Sequence, residues 1–459
     1  MRRKITKLLE NWKNNPGKKP LLIKGARQVG KTFIINEFAK ANYRSDRIIR
    51  INFEERPQMR EVFDSSLDAE TILDRLSLRP EFKDIDFQVD VGHPLFLFLD
   101  EIQKCPKAIT SLKFLSEAKS YLHVIGSGSL LGVQLGKKDG SSFPVGYVEQ
   151  ATLFPLDFEE FMWAFGYSEQ YIENLKALAY KPNVGSLIED SVHEELMGLF
   201  RKFVVIGGMP AAVKSYVETK TFKECRAIQR QLVEAYEVDI QKYVEGATNK
   251  VRVASVFKAI PKQLTLTSHK FKLATIEKNA KSREYGDPLN WLISSGLVIK
   301  CENVKRIEEP LESFSDLGDY KLYYFDSGLL LSQLSDEDFY AVLNGTQNID
   351  VGGVYENTVA AILHCYHGDG NPLHYYHQGD DLEIDFVDRH RRVSLLIEVK
   401  SGENLKSASL NKLLGREDAR ITGMKVSGKR VKEDGKEKNL PFYLFALMFA
   451  NNLYISSVD

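Results

Sequence analysis

The chain has 459 residues, of which 43% are hydrophobic and 27% are charged, and its formal net charge at pH 7 is -1. Such a length exceeds one ordinary hydrophobic core and indicates about two to four domains of ordinary globular composition. The near-neutral charge argues against a protein coated in basic surface, although it leaves room for a local basic face that binds nucleic acid.

The spacing of the cysteines and the length of the apolar runs indicate where in the cell the protein is expected. The four cysteines are widely separated and form no C-x-x-C pair: Cys105, Cys225, Cys301 and Cys365. This spacing indicates neither a zinc site nor a disulfide framework. The basic N-terminus lacks the apolar stretch of a signal peptide, and the longest apolar run, residues 442–450, is shorter than the ~18 residues of a membrane helix. We therefore expect a soluble, cytoplasmic protein without a membrane partner.

The first predicted elements lead into a nucleotide-binding motif. Apolar residues recur at helical spacing in the first segment and predict an amphipathic helix: Ile5, Leu8, Leu9 and Trp12. A strand-forming run at residues 21–23 then precedes the sequence GARQVGKT at residues 25–32. This sequence fits the P-loop pattern G-x-x-x-x-G-K-[ST] in the strand–loop–helix context that the motif requires.

The residue types of the P-loop suit a bound triphosphate. Gly25 and Gly30 would keep Cβ atoms out of the loop, so that backbone N–H groups converge on the phosphates beside the helix N-terminus. Lys31 would reach the β and γ phosphates, and Thr32 would ligate magnesium. We therefore predict ATP and Mg²⁺ as cofactors, with nucleotide contacts from Gly25, Ala26, Arg27, Gln28, Val29, Gly30, Lys31, Thr32 and Phe33.

Two further apolar runs predict buried parallel strands. Residues 48–53 form the first, and residues 95–99 form the second, which is followed directly by Asp100 and Glu101. Central parallel strands deliver such carboxylates to the ligand-side edge of an α/β sheet, and the second run resembles a Walker B element. Asp100 would hold the magnesium, directly or through water, and Glu101 would polarise the water that attacks the γ-phosphate.

A strand at residues 122–125 is followed by the sequence GSGS at residues 126–129. A polar side chain at this place can touch the γ-phosphate or the lytic water, so Ser127 and Ser129 are both candidates for an ATPase role. The alternative is a Gly/Ser turn without a ligand. The sequence does not choose between the two serines.

These motifs, with others further along, resemble the prokaryotic AAA-type ATPases in which an ATPase module precedes a C-terminal domain of unknown function with a PD-(D/E)xK nuclease-like core. The resemblance follows the group's order over nearly the entire chain. It is carried by GARQVGKT at 25–32, FLFLDEIQKCP at 96–106, VIGSGS at 124–129, TLFPLDFEEF at 152–161, GGMP at 207–210, YYFDSGLL at 323–330 and LLIEVKSG at 395–402. The resemblance implies ATP hydrolysis by the first module.

One departure and one open question follow from the resemblance. Many members carry Gly-Arg where this chain has Gly146 and Tyr147, which weakens any assignment of an arginine sensor at this place. The sequence GGMP at residues 207–210 interrupts two helical stretches, and it can either turn the backbone or contact the nucleotide. Residues just after the proline-led segment recur at helical spacing and predict core: Phe158, Phe161, Met162 and Phe165.

Residues 246–310 predict a winged-helix-like region, with three short helices and then a turn into a strand near residue 297. Local positive charge comes from Lys270, Lys272, Lys278, Lys281 and Arg283. Such folds often place a helix in a DNA groove, but they also serve as rigid spacers or protein-binding modules. We favour the spacer or protein-contact interpretation.

The last region carries a nuclease-like signature. Asp385 lies in one predicted strand, and Glu398 and Lys400 end the next, so that the three fit the pattern D…(D/E)-x-K. Glu398 and Lys400 are two residues apart on one strand and therefore project to the same face. Glu398 and Asp385 could then share a divalent ion while Lys400 orients the attacking water. Glu356, from the preceding helical stretch, could complete this possible nuclease site. The alternative is charged alternation on an exposed strand.

Two smaller expectations concern the same region. His374 and His377 are expected at a turn or at the surface rather than as ligands. The apolar run at residues 442–448 is predicted to form the final strand.

The predicted fold class is α/β. A P-loop NTPase parallel sheet with helices is followed by a helical and winged-helix region and by a C-terminal α/β domain that resembles restriction endonucleases. The corresponding domains are an AAA-type core at 1–165, a helical lid and extension at 166–245, a winged-helix-like domain at 246–310 and a nuclease-like domain at 311–459.

We interpret the chain as an ATPase that uses ATP hydrolysis to switch how its C-terminal domains meet a partner. The alternatives are an ATP-gated, metal-dependent nuclease that acts on DNA or RNA, and a winged-helix DNA-binding protein with a nucleotide-binding switch. A DNA or protein partner and a homo-oligomer are compatible with each of these interpretations.

Overall fold

The computed structural model describes residues 1–64, 66–129, 143–181, 184–266, 270–346, 351–379, 382–390, 393–415, 420–450 and 456–457. The chain divides into two compact units. We call Arg2–Phe154 together with the strand Ser456–Ser457 the N-terminal unit, and Pro155–Asn451 the C-terminal unit.

The N-terminal unit is built on a sheet whose strands lie in the order β14-β5-β1-β4-β3-β2. Strands β1 to β5 run parallel to their neighbours, and β14 runs antiparallel to β5. All six residues of β3 are buried, as expected for a parallel strand covered on both faces. The strands are β1 Leu21–Lys24, β2 Ile48–Asn52, β3 Leu95–Asp100, β4 Leu122–Gly128, β5 Glu149–Thr152 and β14 Ser456–Ser457.

The helices of the N-terminal unit follow the predicted periodicity. The apolar residues of the first helix are all buried, which confirms the predicted amphipathic helix. Asp68 accepts a hydrogen bond from the Thr71 N–H and so caps the third helix, while Pro106 occupies the first position of the fourth. The helices are α1 Ile5–Asn14, α2 Lys31–Asn42, α3 Ala69–Ser77 and α4 Pro106–Leu115.

The C-terminal unit begins with a long helical region. Its described helices are α5 Phe158–Ala164, α6 Glu169–Ala179, α7 Val184–Leu187, α8 Asp190–Ile206, α9 Pro210–Thr219, α10 Phe222–Tyr243, α11 Ala247–Leu264, α12 Ser282–Ser294, α13 Ser327–Ser332, α14 Asp336–Asn344, α15 Gly352–His367, α16 Ala408–Leu414 and α17 Phe442–Met448. Short 3₁₀ turns in the two units lie at Ser45–Arg47, Pro57–Phe63, Pro80–Phe82, Ile102–Lys104, Ser116–Ala118, Leu273–Thr275 and Leu311–Phe314.

A mixed sheet forms the other half of the C-terminal unit, in the order β12-β13-β11-β10-β9-β8-β6-β7. Parallel pairs join β6 to β8, β10 to β11 and β11 to β13, and the other neighbours are antiparallel. The strands are β6 Val298–Val304, β7 Ser315–Tyr324, β8 Leu373–Gln378, β9 Leu382–His390, β10 Val393–Lys400, β11 Ile421–Ser427, β12 Lys432–Asp434 and β13 Glu437–Pro441.

Strand β6 lies in this mixed sheet, although the sequence predicts it as the closing strand of a separate winged-helix-like region. It pairs with β7 and β8, so the boundary predicted between residues 310 and 311 falls between two paired strands. One cation of that region is already paired, because the Lys270 Nζ lies 2.6 Å from an Asp319 carboxylate oxygen. The division into four domains and the winged-helix interpretation stay predictions.

The prediction of a final strand at residues 442–448 is wrong, because this run forms helix α17. Residues 442–447 are all buried, so the run carries no polar alternation that would separate a strand from a fully buried helix. Pro441 ends strand β13 and is the residue just before the helix, where its missing N–H costs no intrahelical hydrogen bond.

The motifs GGMP, FPLDFEEF and YYFDSGLL meet at one buried place in the C-terminal unit. The Leu156 N–H donates to the Gly208 carbonyl at 2.7 Å, and the Gly208 N–H donates to Asp326 Oδ2 at 2.6 Å. A Cβ on Gly207 would lie 2.2 Å from Asp326 Oδ1, and one on Gly208 would lie 2.1 Å from the Leu156 carbonyl oxygen. Gly208 is therefore required for close backbone approach, and Gly207, with a φ of 71°, for close packing against the Asp326 carboxylate, which favours the backbone interpretation of this motif.

The predicted fold class is confirmed: a parallel sheet with helices is followed by a helical region and a mixed α/β sheet. No helix among the residues that the structure describes combines the length and the apolar character needed to cross a bilayer.

Candidate functional site

The P-loop connects β1 to α2 with a backbone that only glycine adopts easily. Gly25 has a φ of 145°, and a Cβ there would lie 2.2 Å from the Leu153 carbonyl oxygen. Gly30 has a φ of 98° and directly precedes α2. Gln28 also has a positive φ, at 64°. The loop therefore has the strained backbone, with positive φ angles and a close backbone approach at Gly25, that is expected of a phosphate-binding loop at a helix N-terminus.

Lys31 is folded back onto its own loop. Its Nζ donates to the carbonyl oxygens of Gly25 at 2.9 Å and Ala26 at 2.8 Å, and the side chain is buried. Burial lowers the pKa of Lys31 to about 8, while the negative charges of Glu101 and Asp100 oppose that shift. The ammonium is thus held at the loop by neutral carbonyls, which phosphate oxygens would outcompete as charged acceptors.

Asp100 is the acidic centre of the site. It is 1% exposed, and its Oδ2 accepts a hydrogen bond from Thr32 Oγ1 at 3.0 Å. Ser127 Oγ donates to its Oδ1 at 2.7 Å, and Asn52 Nδ2 donates to its Oδ2 at 3.2 Å. The Arg50 guanidinium lies 3.4 Å from the same Oδ2. These contacts exist because the parallel order β2-β3-β4 brings the ends of three strands together.

Glu101 lies just beyond the end of β3, with a left-handed backbone at φ 51°. Gln103 Nε2 donates to its Oε2 at 2.5 Å, which holds the carboxylate in place. Burial raises the pKa of Glu101, and that hydrogen bond together with the Lys31 charge counteracts part of the rise. A fixed carboxylate of raised basicity is suited to accept a proton from water.

The other predicted nucleotide-site residues lie around this loop. Ala26 and Val29 are buried, Arg27 lies 4.0 Å from a Glu54 carboxylate oxygen, and Phe33 on α2 is 59% exposed. Ser129 lies beyond the last residue of β4, so the structure brings Ser127 and not Ser129 to Asp100.

Tyr147, at the position where relatives often have arginine, is 42% exposed. The Lys113 Nζ lies 5.1 Å from the centre of its ring, in a cation–π contact. Tyr147 therefore contacts a lysine, and the weakened arginine-sensor assignment at this place stays a prediction.

Sequence reasoning missed three side chains of the site. Arg50 and Asn52 lie on β2, two residues apart on one face, and Gln103 follows Glu101 by two residues. A polar residue at the end of a predicted buried strand is the signal that could have identified Asn52. The contact of Gln103 with Glu101 depends on the turn after β3, which the sequence pattern does not specify.

The residues present fit a magnesium ion that accompanies ATP. Oxygen donors are the ligands that Mg²⁺ prefers, and it usually keeps several waters besides one or two protein ligands. At the helix N-terminus, Thr32 Oγ1 lies within hydrogen-bonding distance of both carboxylate oxygens of Asp100. Thr32 and Asp100 would therefore hold the ion.

The C-terminal unit gathers the four residues of the nuclease-like signature. Asp385 on β9 accepts a hydrogen bond at 2.7 Å from the Val399 N–H of β10. The Lys400 Nζ lies 2.8 Å from Glu398 Oε1. Burial, followed by the charges of Glu356 and Glu398, raises the pKa of Asp385 well above its ordinary value. The four side chains thus belong to one electrostatic group, as the pattern predicts.

A fifth residue, absent from the predicted site, enters this group. The Lys321 Nζ on β7 lies 2.9 Å from Glu356 Oε1, 2.8 Å from Glu383 Oε1 and 3.9 Å from Asp385 Oδ1. Burial acts to lower the pKa of Lys321, but the carboxylates outweigh it and raise this pKa well above its ordinary value. The surrounding carboxylates therefore favour the charged form of this lysine.

These residues do not fit the divalent ion that the nuclease-like resemblance implies. Among the residues that the structure describes, no group of three or more His, Cys, Asp or Glu side chains is arranged to hold a metal. The Lys321 ammonium lies among the carboxylates that would be the ligands.

His374, expected at a turn or at the surface, is instead buried on β8, because that strand lies inside the mixed sheet.

Comparison with protein families supports the AAA-type prediction. Residues 17–162 match a family model described as an AAA domain. Residues 197–339 and 351–441 match two models described as domains of unknown function, DUF8612 and DUF4143. The part of the chain that holds the P-loop is therefore similar to AAA domains, and the matches further along carry no activity. A comparison with curated proteins gives no match.

Three solved structures are similar to most of this chain at low identity. The Walker-type ATPase paby2304 of Pyrococcus abyssi is 14% identical, covers 72% of this chain and 95% of its own, and has a TM-score of 0.43. Drosophila ORC bound to DNA is 12% identical, with coverages of 73% and 92% and a TM-score of 0.27. The Aeropyrum pernix ORC1 protein in complex with DNA is 14% identical, with coverages of 74% and 92% and a TM-score of 0.27. At these TM-scores, none of the three supports a conclusion about this chain.

Proposed function

We propose that this protein binds and hydrolyses ATP, and that the hydrolytic cycle switches how its C-terminal unit meets a partner. The observation that carries the proposal is the convergence of Thr32, Ser127 and Asp100 beside a P-loop lysine and a fixed Glu101. P-loop hydrolases require these parts together: a phosphate cradle, a metal-binding hydroxyl and carboxylate, and a residue that orients water.

Each residue has a defined part in the proposed reaction. The loop amides from Gly25 to Thr32 bind the phosphates, and the Lys31 ammonium leaves its two carbonyl acceptors for the β and γ phosphate oxygens. Thr32 and Asp100 would hold the magnesium ion, which would offset negative charge on the phosphates. Glu101 orients the attacking water and accepts its proton, while Gln103 keeps the carboxylate in position.

The decisive experiment is the substitution Glu101→Gln in the full chain. The amide keeps the shape of the side chain but removes the proton acceptor, so ATP should still bind while hydrolysis slows on the order of 10²-fold or more. Isothermal titration measures the binding, and phosphate release measures the rate. Glu37→Gln, which changes an exposed acid on α2, is the matched control and should leave both unchanged.

A rate for Glu101→Gln equal to that of the wild type would assign water activation to another residue. A folded Glu101→Gln protein that no longer binds ATP would instead show that the side chain supports the nucleotide pocket itself.

The second candidate function is an ATP-gated, metal-dependent nuclease. The observation that favours it is the grouping of Glu356, Asp385, Glu398 and Lys400 in one place. Its test is cleavage of single- and double-stranded DNA and RNA with Mg²⁺ or Mn²⁺, with and without ATP, against an Asp385→Asn control. The ammonium of Lys321 stands against this candidate.

A further inference from the structure

The carboxylates of the nuclease-like region surround a buried lysine. We call Glu356, Glu383, Asp385 and Glu398 the carboxylate cluster. Lys321 is 1% exposed, and its Nζ lies within 2.9 Å of an oxygen of Glu356 and of Glu383. Glu383 is about two-fifths exposed, at 42% of its side chain, so the cluster is open to ions from solvent at this edge.

We propose that Lys321 replaces a divalent ion as the counter-ion of the carboxylate cluster, so that the C-terminal unit takes no divalent ion there while this lysine is present. The cluster is then a latent metal site that a single side chain keeps closed. This inference is independent of the ATP site.

The contacts of Lys321 show that its position is built into the fold. The Tyr323 hydroxyl donates to Glu356 Oε1 at 2.5 Å, the same oxygen that Lys321 contacts. The ring of Tyr375 lies 5.0 Å from the Nζ, a cation–π contact that further favours positive charge at this point. An ammonium that is buried, paired and covered by an aromatic face does not exchange with solvent ions as a surface lysine does.

The cluster nevertheless retains unused metal-binding capacity. Glu398 is 7% exposed, and its Oε2 is buried without a hydrogen-bond partner among the described residues. Its other oxygen contacts Lys400. A buried carboxylate oxygen without a donor is unfavourable unless a cation reaches it. Removal of Lys321 would leave the carboxylates of Glu356, Glu383 and Asp385 without their shared cation, and Asp385 also interacts electrostatically with Glu398.

Lys321 and a divalent ion exclude one another for steric and electrostatic reasons. Magnesium holds its oxygens at about 2.1 Å and calcium at about 2.3–2.6 Å, so the ion must stand where the Nζ now stands between Glu356 and Glu383. An ammonium beside a dication in a poorly solvated place is also strongly repulsive. The carboxylates therefore accept one cation or the other.

The test compares Mn²⁺-induced changes in melting temperature between variants of the full, nucleotide-free chain. Wild-type protein should show no shift that depends on Asp385. Lys321→Met should melt at a lower temperature without the metal, because it leaves buried charges unpaired, and millimolar Mn²⁺ should raise its melting temperature by roughly 3 °C or more. Adding Asp385→Asn to Lys321→Met should abolish that response.

The matched control is Lys425→Met. Lys425 is also a buried lysine of the mixed sheet, and its Nζ lies 2.8 Å from a Glu437 carboxylate oxygen, so its loss should also destabilise the protein. Because Glu437 is the carboxylate that pairs with Lys425 among the described residues, Mn²⁺ should not restore the stability of this variant.

Two measurements still decide the proposal if Lys321→Met fails to fold. Lys321→Met combined with Glu356→Gln removes one charge of each sign and is tested in its place, and Mn²⁺ should raise its melting temperature through the carboxylates of Glu383 and Asp385. Mn²⁺ binding to the wild type can also be counted by electron paramagnetic resonance. A wild-type site that binds Mn²⁺ and is lost in Asp385→Asn would overturn the proposal, as would a folded Lys321→Met that shows no response to Mn²⁺.

Discussion

Alanine at position 208 tests whether the three motifs of the C-terminal unit depend on one close backbone contact. A Cβ on Gly208 would lie 2.1 Å from the Leu156 carbonyl oxygen and 2.8 Å from the Leu156 nitrogen. Both atoms belong to the backbone, so no side-chain rotation can relieve the overlap. The segment around Leu156 and the segment around Gly208 must move apart by about an ångström or more for ordinary van der Waals contact.

The cost follows from the hydrogen bonds that this movement breaks. The Leu156 N–H would lose the Gly208 carbonyl, now at 2.7 Å, and the Gly208 N–H would lose the Asp326 carboxylate, now at 2.6 Å. A buried polar group that loses its partner costs about 1–3 kcal/mol. The lower conformational entropy of unfolded alanine offsets at most about 1 kcal/mol. With two such groups, we expect Gly208→Ala to reduce the free energy of unfolding by about 1–5 kcal/mol.

Urea unfolding followed by tryptophan fluorescence measures this change. Trp163 and Trp291 both lie in the C-terminal unit, so most of the signal reports on the affected part of the chain. The matched control is Gly198→Ala in helix α8, where a Cβ would meet nothing within 4 Å. That change should be neutral or stabilising by up to about 1 kcal/mol. Equal urea midpoints for Gly208→Ala and the wild type would refute the close-contact reasoning.

Three further predictions concern the proposed nucleotide site and the buried carboxyl of Asp326. Lys31→Ala should nearly abolish ATP binding by isothermal titration, because it removes the cation of the P-loop, whereas Lys40→Ala on the exposed face of α2 should not. Asp100→Asn should raise the Mg²⁺ concentration for half-maximal hydrolysis roughly tenfold or more, and an unchanged Mg²⁺ dependence would place the ion elsewhere. Burial raises the pKa of Asp326 to about 6, so the folded protein binds the proton more tightly than the unfolded chain. The stability gained from that proton is complete below about pH 4 and is lost as pH rises through about 6, by up to ~3 kcal/mol. Asp326→Asn should flatten this dependence in urea midpoints measured from pH 4 to 7, and an unchanged slope would contradict the assignment.

The backbone geometry of the proposed nucleotide site was predictable because its main parts are contiguous in the chain. A strand, the eight-residue motif and a helix determine their own geometry, so Gly25 and Gly30 have positive φ angles and Lys31 and Thr32 begin helix α2, as local sequence predicts. The same holds for the acids after β3, since a buried parallel strand delivers its last residues to one edge of the sheet.

Local sequence was insufficient where several conformations fit one pattern. Residues 442–448 are apolar throughout, and such a run has no period that would identify it as helix or strand. The choice between Ser127 and Ser129 likewise depended on where β4 ends relative to Asp100 of the neighbouring strand.

Tertiary structure alone decided which side chains meet across strands that are distant in the sequence. Asn52 reaches Asp100 because β2 pairs with β3 in register, and no feature of either segment specifies that pairing. Lys321 enters the carboxylate cluster because the β6–β7 hairpin joins the sheet of β8 to β10. A sequence pattern records the spacing of residues within one element, whereas the charge balance of a buried site depends on the order of strands in the sheet.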